Sequence, residues 1–325
     1  PSLGMSHASF RIGMGQTTGA NGVYVHVPNN VATPLVVTLL STSTRVATVP
    51  PTVTIPAGSY YAYFEVVAGD TVGTIQIQAT ATGYTASAMT VQVTVPKFVI
   101  STNTNAYTTS PPRSITVYAT DADGTGRFVR EDLTVTLASS APGVATVDSV
   151  TVTIPAGSYY SNTARWSPVA VGTSQITASD GRAVYQKYTT GAANIAVTTP
   201  PLMFGNAPNV LGVGQYTDGM YVLTNETQPS SLPVTLSHAG TARTSTPASV
   251  TIPAGSYYAY FRTSALSVGT DTLIASAQSP EHLPATVVTV VGAATALFGW
   301  TMPNARDAVI MVMAGVAGGV GQILM

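Results

Sequence analysis

The chain has 325 residues, 45% of them hydrophobic and only 8% charged, with a formal net charge of −1. Disorder usually needs low hydrophobicity and high charge, so this composition predicts a folded protein, and its two lysines, Lys97 and Lys187, supply no cationic patch for nucleic acid. The absence of cysteine excludes disulfides, thiol chemistry and Cys-based metal sites.

In chain order, Val36–Leu40 reads as a short apolar strand, followed by the turn Ser41–Thr44, then Val46–Val49 and Thr52–Ile55. Pro56-Ala57-Gly58 supplies a fixed φ and then a permissive one, as a turn requires. The next run alternates with period two, placing Tyr60, Ala62, Phe64 and Val66 on a core face and Tyr61, Tyr63 and Glu65 outside. Gly73–Ala79 alternates again with Ile75 and Ile77 inward, and Ala88–Val95 closes the set. No 3.6-residue period appears. Half-apolar strands of four to eight residues predict two packed sheets, with a small barrel as the other all-β solution.

This unit repeats. Thr54-Ile-Pro-Ala-Gly-Ser-Tyr-Tyr61 recurs identically at Thr153–Tyr160 and Thr251–Tyr258, spaced by 99 and 98 residues. Val-Gly-Thr follows each copy, at Val72, Val171 and Val268, and Val-Thr-Leu precedes each, at Val37, Val135 and Val234. Ile12-Gly-Met-Gly-Gln16 is echoed by Leu211-Gly-Val-Gly-Gln215. A period near 98 suits a self-contained sandwich. The expected domains are 1–97, 98–199 and 200–296, joined by short Pro-containing linkers that favour a semi-rigid rod, and a tail at 297–325.

In the third module the alternation puts Tyr257, Ala259 and Phe261 inside and Tyr258, Tyr260 and Arg262 outside. The second module departs from the pattern: Tyr159–Trp166 is more polar, and Thr120–Gly126 is inserted, which fits either a specialised face or simple drift of the repeat. Tyr61, Tyr63, Tyr160, Tyr258 and Tyr260, with Trp166, are candidate contact residues, because aromatic rings offer large contact area at low entropic cost. Cross-strand ladder packing is the structural alternative, and a carbohydrate face would need coplanar rings around a groove.

Asp121, Asp123 and Asp132 are spaced like parts of a calcium loop, although Thr125 stands where Asp or Asn is expected, so a polar turn is the competing reading. No other cofactor is suggested. His7, His26, His238 and His282 occupy unrelated positions, His282 following Glu281 in a turn that reads as a solvated loop, and no catalytic group is recognisable. Lys97 has no repeated core counterpart, which argues against an internal Lys–Asn crosslink, and Asn225-Glu-Thr227 is a formal glycosylation sequon. Residues 308–325 carry no charge and reach the lower length of a membrane span. Four glycines in that run favour instead an assembly segment, with Val309, Ile310 and Val312 as contact residues. Any membrane contact would have to run through 308–325.

Val53–Ser59, Val72–Thr74, Ile77–Tyr84 and Thr90–Val95 together resemble the bacterial Ig-like repeat domains of large surface proteins. The resemblance covers most of 1–296 at module level. It implies an all-β chain of three tandem Ig-like β-sandwich modules with an apolar C-terminal tail, located at the cell surface or outside the cell. It further implies a structural role in a filament, sheath or layer, partnered by copies of itself or by neighbouring surface proteins. An adhesin stalk contacting glycans and a phage or virion component are the other implied roles.

Overall fold

The structure is a computed structural model that describes residues 1–182, 188–278 and 281–293. It contains three Ig-like β-sandwich modules, each with its own apolar core. They fall into two compact units: Pro1–Ala106 with Pro111–Val197, and Tyr107–Ser110 with the chain from Thr198 onward.

In the first module the larger sheet has the order Ser9–Gly13, Ser87–Thr94, Gly73–Thr80, Leu35–Ser41, Thr52–Ile55. The pair Ser9–Gly13 and Ser87–Thr94 is parallel and the other pairs are antiparallel. The opposite layer is built from Gly4–Met5, Val23–His26 and Tyr61–Phe64, and from Gln16–Thr17, Val67–Ala68 and Ala47–Thr48. Alternation decides which side chains meet between the layers. Ile75, Ile77 and Ala79 are buried while Thr74, Gln76 and Gln78 face water. Each buried Ile contributes about 1.5–3 kcal/mol of hydrophobic free energy.

The second module repeats the plan. Lys97–Thr102, Arg113–Thr120, Ala164–Pro168 and Ala145–Val147 face the sheet Asn105–Tyr107, Gly191–Thr198, Gly172–Asp180, Leu133–Ser139, Thr151–Ile154. In the third, Leu202–Gly205, Tyr216–Thr224, Tyr258–Ala265 and Thr244–Ser245 face Val210–Gly212, Glu281–Gly292, Gly269–Gln278, Leu232–His238, Ser249–Ile252.

The repeated octapeptide is a turn and its lock. Ser59 N–H donates to the Pro56 carbonyl at 3.0 Å, with Gly58 at φ +80°, which is the third position of a type II turn. Ser158 and Ser256 make the same bond to Pro155 and Pro253, at 2.9 and 3.0 Å. The serine hydroxyl then donates to the carbonyl two residues on and accepts the N–H of that residue, in all three modules.

That serine lock interrupts the alternation, and two inward assignments fail because of it. Tyr60 and Tyr257 lie ahead of the strands that begin at Tyr61 and Tyr258, and they are 49% and 50% exposed. From Phe64 onward the period holds, with Phe64, Val66 and Phe261 buried. Trp166 is corrected in the other direction. It is fully buried in the second core and its Nε1 donates to Thr102 Oγ1 at 2.9 Å, so it is not an outward contact residue. Arg165 takes the solvent side of that strand.

One polar residue of the divergent middle segment, Ser161, also turns inward, while Asn162 stays exposed. Ser161 is buried, with its hydroxyl accepting Val117 N–H at 3.0 Å, and Asn162 Oδ1 accepts Thr153 N–H from the opposite sheet at 2.9 Å. Asn162 thereby ties the two layers together at the position of Tyr63 and Tyr260, and Ser161 stands where the other modules have Ala62 and Ala259. The strands before Leu35 have no counterpart in the sequence reading: they are short, and interrupted by Gly13, Gly15, Gly19 and Gly22.

Candidate functional site

The outer face of the smaller sheet carries an aromatic cluster in every module. In the first, Tyr24 stands directly across from Tyr63, and His26 across from Tyr61. The Tyr24 ring lies 5.5 Å from Tyr63 and 5.6 Å from Tyr61, Tyr61 and Tyr63 are 5.3 Å apart, and Tyr60 joins at 5.0 Å from Tyr61. The third module reproduces this with Tyr221 across from Tyr260, at 5.3 Å, and with Tyr258 and Tyr257 adjoining. In the second, Tyr118 bridges to Tyr160, and Tyr159 packs on Tyr160 at 5.3 Å.

Tyr61, Tyr63, Tyr160, Tyr258 and Tyr260 are therefore brought together with partners that sequence periodicity did not reveal: Tyr24, Tyr118 and Tyr221. Those three sit on strands poorly marked in the sequence, or, for Tyr118, two residues out of step with the other modules. Tyr63, Tyr160 and Tyr260 are 42%, 50% and 57% exposed. Each edge-to-face pair contributes about 0.5–1.5 kcal/mol beyond its buried area. In the first and third modules the rings within a cluster meet at interplanar angles of 62–85°. These rings are therefore edge to face and not coplanar, whereas a carbohydrate face would need coplanar rings.

The three aspartates of the calcium-like spacing are engaged separately. Asp121 is buried, and its carboxylate accepts Asp123 N–H and Thr125 N–H, each at 3.0 Å, and Arg127 Nε at 3.1 Å. Asp123 pairs with Arg11 at 2.5 Å, and Asp132 accepts Ala156 N–H at 2.8 Å. Among the described residues no group of three or more His, Cys, Asp or Glu is placed to hold a metal ion.

His238, which lacks an acidic neighbour in the sequence, meets Asp271 across strands at 3.0 Å. Asp271 is buried and also accepts Thr244 Oγ1, Thr244 N–H and Arg243 N–H. Burial raises its pKa, but hydrogen bonds from the Thr244 hydroxyl, from His238 and from the two backbone N–H groups outweigh that and hold the carboxyl below its ordinary value. This carboxylate closes the turn before Thr244, a structural task.

No helix among the described residues is long and apolar enough to cross a membrane. The run 308–325, with Val309, Ile310 and Val312, lies outside the described residues.

No protein-family model matches the sequence, and no curated protein does. Among solved structures, the chain is similar over 90% of its length to 96% of a solved chain of FdeC, an adhesin of Escherichia coli, at 13% identity and a TM-score of 0.29. It is similar over 92% of its length to 41% of domains 1–6 of the surface layer protein SbsC, at 11% identity and a TM-score of 0.32. A third similarity covers 90% of this chain and 60% of a solved chain of invasin, a bacterial integrin-binding protein, at 12% identity and a TM-score of 0.28.

Proposed function

We propose that this chain is a non-enzymatic structural protein of the cell surface or extracellular space, assembling with copies of itself through its tyrosine faces. The observation that carries the reading is the repetition of one solvent-facing tyrosine cluster on the same sheet of all three modules. Packing within a module needs the Tyr24–Tyr63 contact but does not need Tyr63 or Tyr260 to remain about half exposed. Such rings bury large area at small entropic cost when a second surface covers them. A net charge of −1 and few charged side chains leave little repulsion between copies. The edge-to-face geometry favours a protein partner over a stacked glycan.

The test is sedimentation velocity and electron microscopy of the full chain beside a Tyr63→Ser/Tyr160→Ser/Tyr260→Ser variant, with thermal melts confirming that both fold. Ordered assemblies in the parent and at least tenfold weaker association in the variant are expected. A parent that stays monomeric at tens of micromolar refutes the reading. Glycan binding by that monomer would replace it with the adhesive one.

A further inference from the structure

The second module is seated on the first through a compact set of contacts. Strand Gln16–Thr17 pairs with Phe128–Val129, Thr17 opposite Phe128 and Gln16 opposite Val129. The Gln16 side chain is fully buried there: Oε1 accepts Gly13 N–H at 2.8 Å, and Nε2 donates to the Thr120 carbonyl at 3.1 Å and to the Tyr188 hydroxyl at 3.0 Å.

The third module repeats the first half of this joint. Leu211-Gly-Val-Gly-Gln215 follows Ile12-Gly-Met-Gly-Gln16 residue for residue at both glycines and the glutamine. Gln215 Oε1 accepts Gly212 N–H at 2.8 Å, and Gly214 takes φ +83° where Gly15 takes +70°. Tyr216 and Thr217 pair with Ser264 and Thr263 on one side, and among the described strands none pairs with them on the other. Gln215 is exposed and Tyr216 is 58% exposed, whereas Gln16 and Thr17 are buried beneath the second module.

The residues that fill such a seat recur at the opposite end of the first module. Leu3 N–H bonds Thr85 O and Thr85 N–H bonds Pro1 O, as Phe98 bonds Thr189 and Thr189 bonds Pro96, which puts Tyr84 in the place of Tyr188. Val27 N–H bonds Tyr60 O as Ala119 bonds Tyr159, which puts the Pro28 carbonyl in the place of that of Thr120. Val31 is bracketed by Ser59 O and Gly58 N–H as Val129 is by Ser158 and Gly157, which puts Asn30–Val31 in the place of Phe128–Val129. Asn29 and Asn30 bring no charge against the Asp218–Arg262 ion pair beside Tyr216.

We propose that the Gln215 surface of the third module receives the first module of a second copy. Gln215 Nε2 donates to the Pro28 carbonyl and the Tyr84 hydroxyl of that copy, and Asn30–Val31 pairs with Gln215–Tyr216. The contact joins two different surfaces, so its repetition links copies head to tail, as an open chain or a ring, instead of a two-fold dimer. The inference rests on the self-assembly reading above but uses the module ends, not the tyrosine faces.

The absence of cysteine makes the test direct. Full-length Tyr216→Cys and Asn30→Cys chains are mixed under mild oxidation. A heterodisulfide well above the statistical share is expected, and a chain carrying both substitutions should form covalent multimers. Gln215→Ala should weaken association at least tenfold in sedimentation with its melt unchanged. No preferential heterodisulfide, or unchanged association of Gln215→Ala, overturns the proposal. A photo-crosslinker on Tyr216→Cys that reacts with residues 294–325 of its own chain also overturns it. Loss of assembly in the tyrosine-to-serine variant, with no heterodisulfide in the cysteine pair, removes the head-to-tail contact and leaves the tyrosine-face reading standing; a monomeric parent removes both.

Discussion

Gln16 Nε2 donates to the Tyr188 hydroxyl at 3.0 Å, joining two buried side chains 172 positions apart across the boundary between the first two modules. Tyr188 is stacked on Phe98 at 4.5 Å, and Arg182 lies 5.6 Å over its ring. The first two modules thus share one compact unit.

Replacing Gln16 with Ala leaves the Thr120 carbonyl and the Tyr188 hydroxyl buried without this donor. A loss of about 2–3 kcal/mol is expected, and calorimetry should resolve separate first-module and second-module transitions where the parent shows one.

The same joint should weaken in alkali. Burial pushes the Tyr188 phenol up to about 12, with Gln16 and Arg182 opposing. An unfolded tyrosine ionises near pH 10, so between about pH 10 and 12 the unfolded state holds fewer protons and stability falls as pH rises. Denaturant titrations across that range should show the slope in the parent and a shallower one in Tyr188→Phe.

Asp271 predicts the opposite limb. Its folded pKa is lowered, so its contribution is complete above the ordinary carboxylate value near 4 and disappears as pH falls through the lower folded value. Asp271→Asn should cost about 3 kcal/mol at pH 7, since Thr244, Arg243 and His238 lose a charged acceptor. It should also flatten the acid limb of third-module unfolding, followed by circular dichroism between about pH 2 and 6.

Gly157 sits at φ +74° with nothing within 4 Å of where a Cβ would lie. Gly157→Ala should therefore cost about 1–2 kcal/mol from backbone conformation alone, and Gly157→Asn less, because Asn tolerates the left-handed region. Thermal melts of the two variants would check the order.

Trp166→Ala should cost about 3–5 kcal/mol by opening a cavity in the second core. It also leaves Thr102 Oγ1 without the indole donor. A urea titration would measure it, and a loss below 1 kcal/mol would contradict a core role.

The octapeptide and its spacings of 99 and 98 residues already indicate three sandwich modules, because a Gly at the third turn position, a Pro ahead of it and a locking Ser set the same turn each time. Alternation similarly places Ile75, Ile77, Phe64 and Phe261 in their cores. Tertiary structure decided what local periodicity cannot carry. A hydroxyl closing on its own backbone put Tyr60 and Tyr257 outside, and the strand Ala164–Pro168 put Trp166 inside. Cross-strand register brought Tyr24 to Tyr63 and Tyr221 to Tyr260, over distances in sequence that no period encodes. The burial of Gln16 was equally out of reach: a glutamine is polar wherever it is read, and only the second module's Thr120 carbonyl and Tyr188 hydroxyl make its burial favourable.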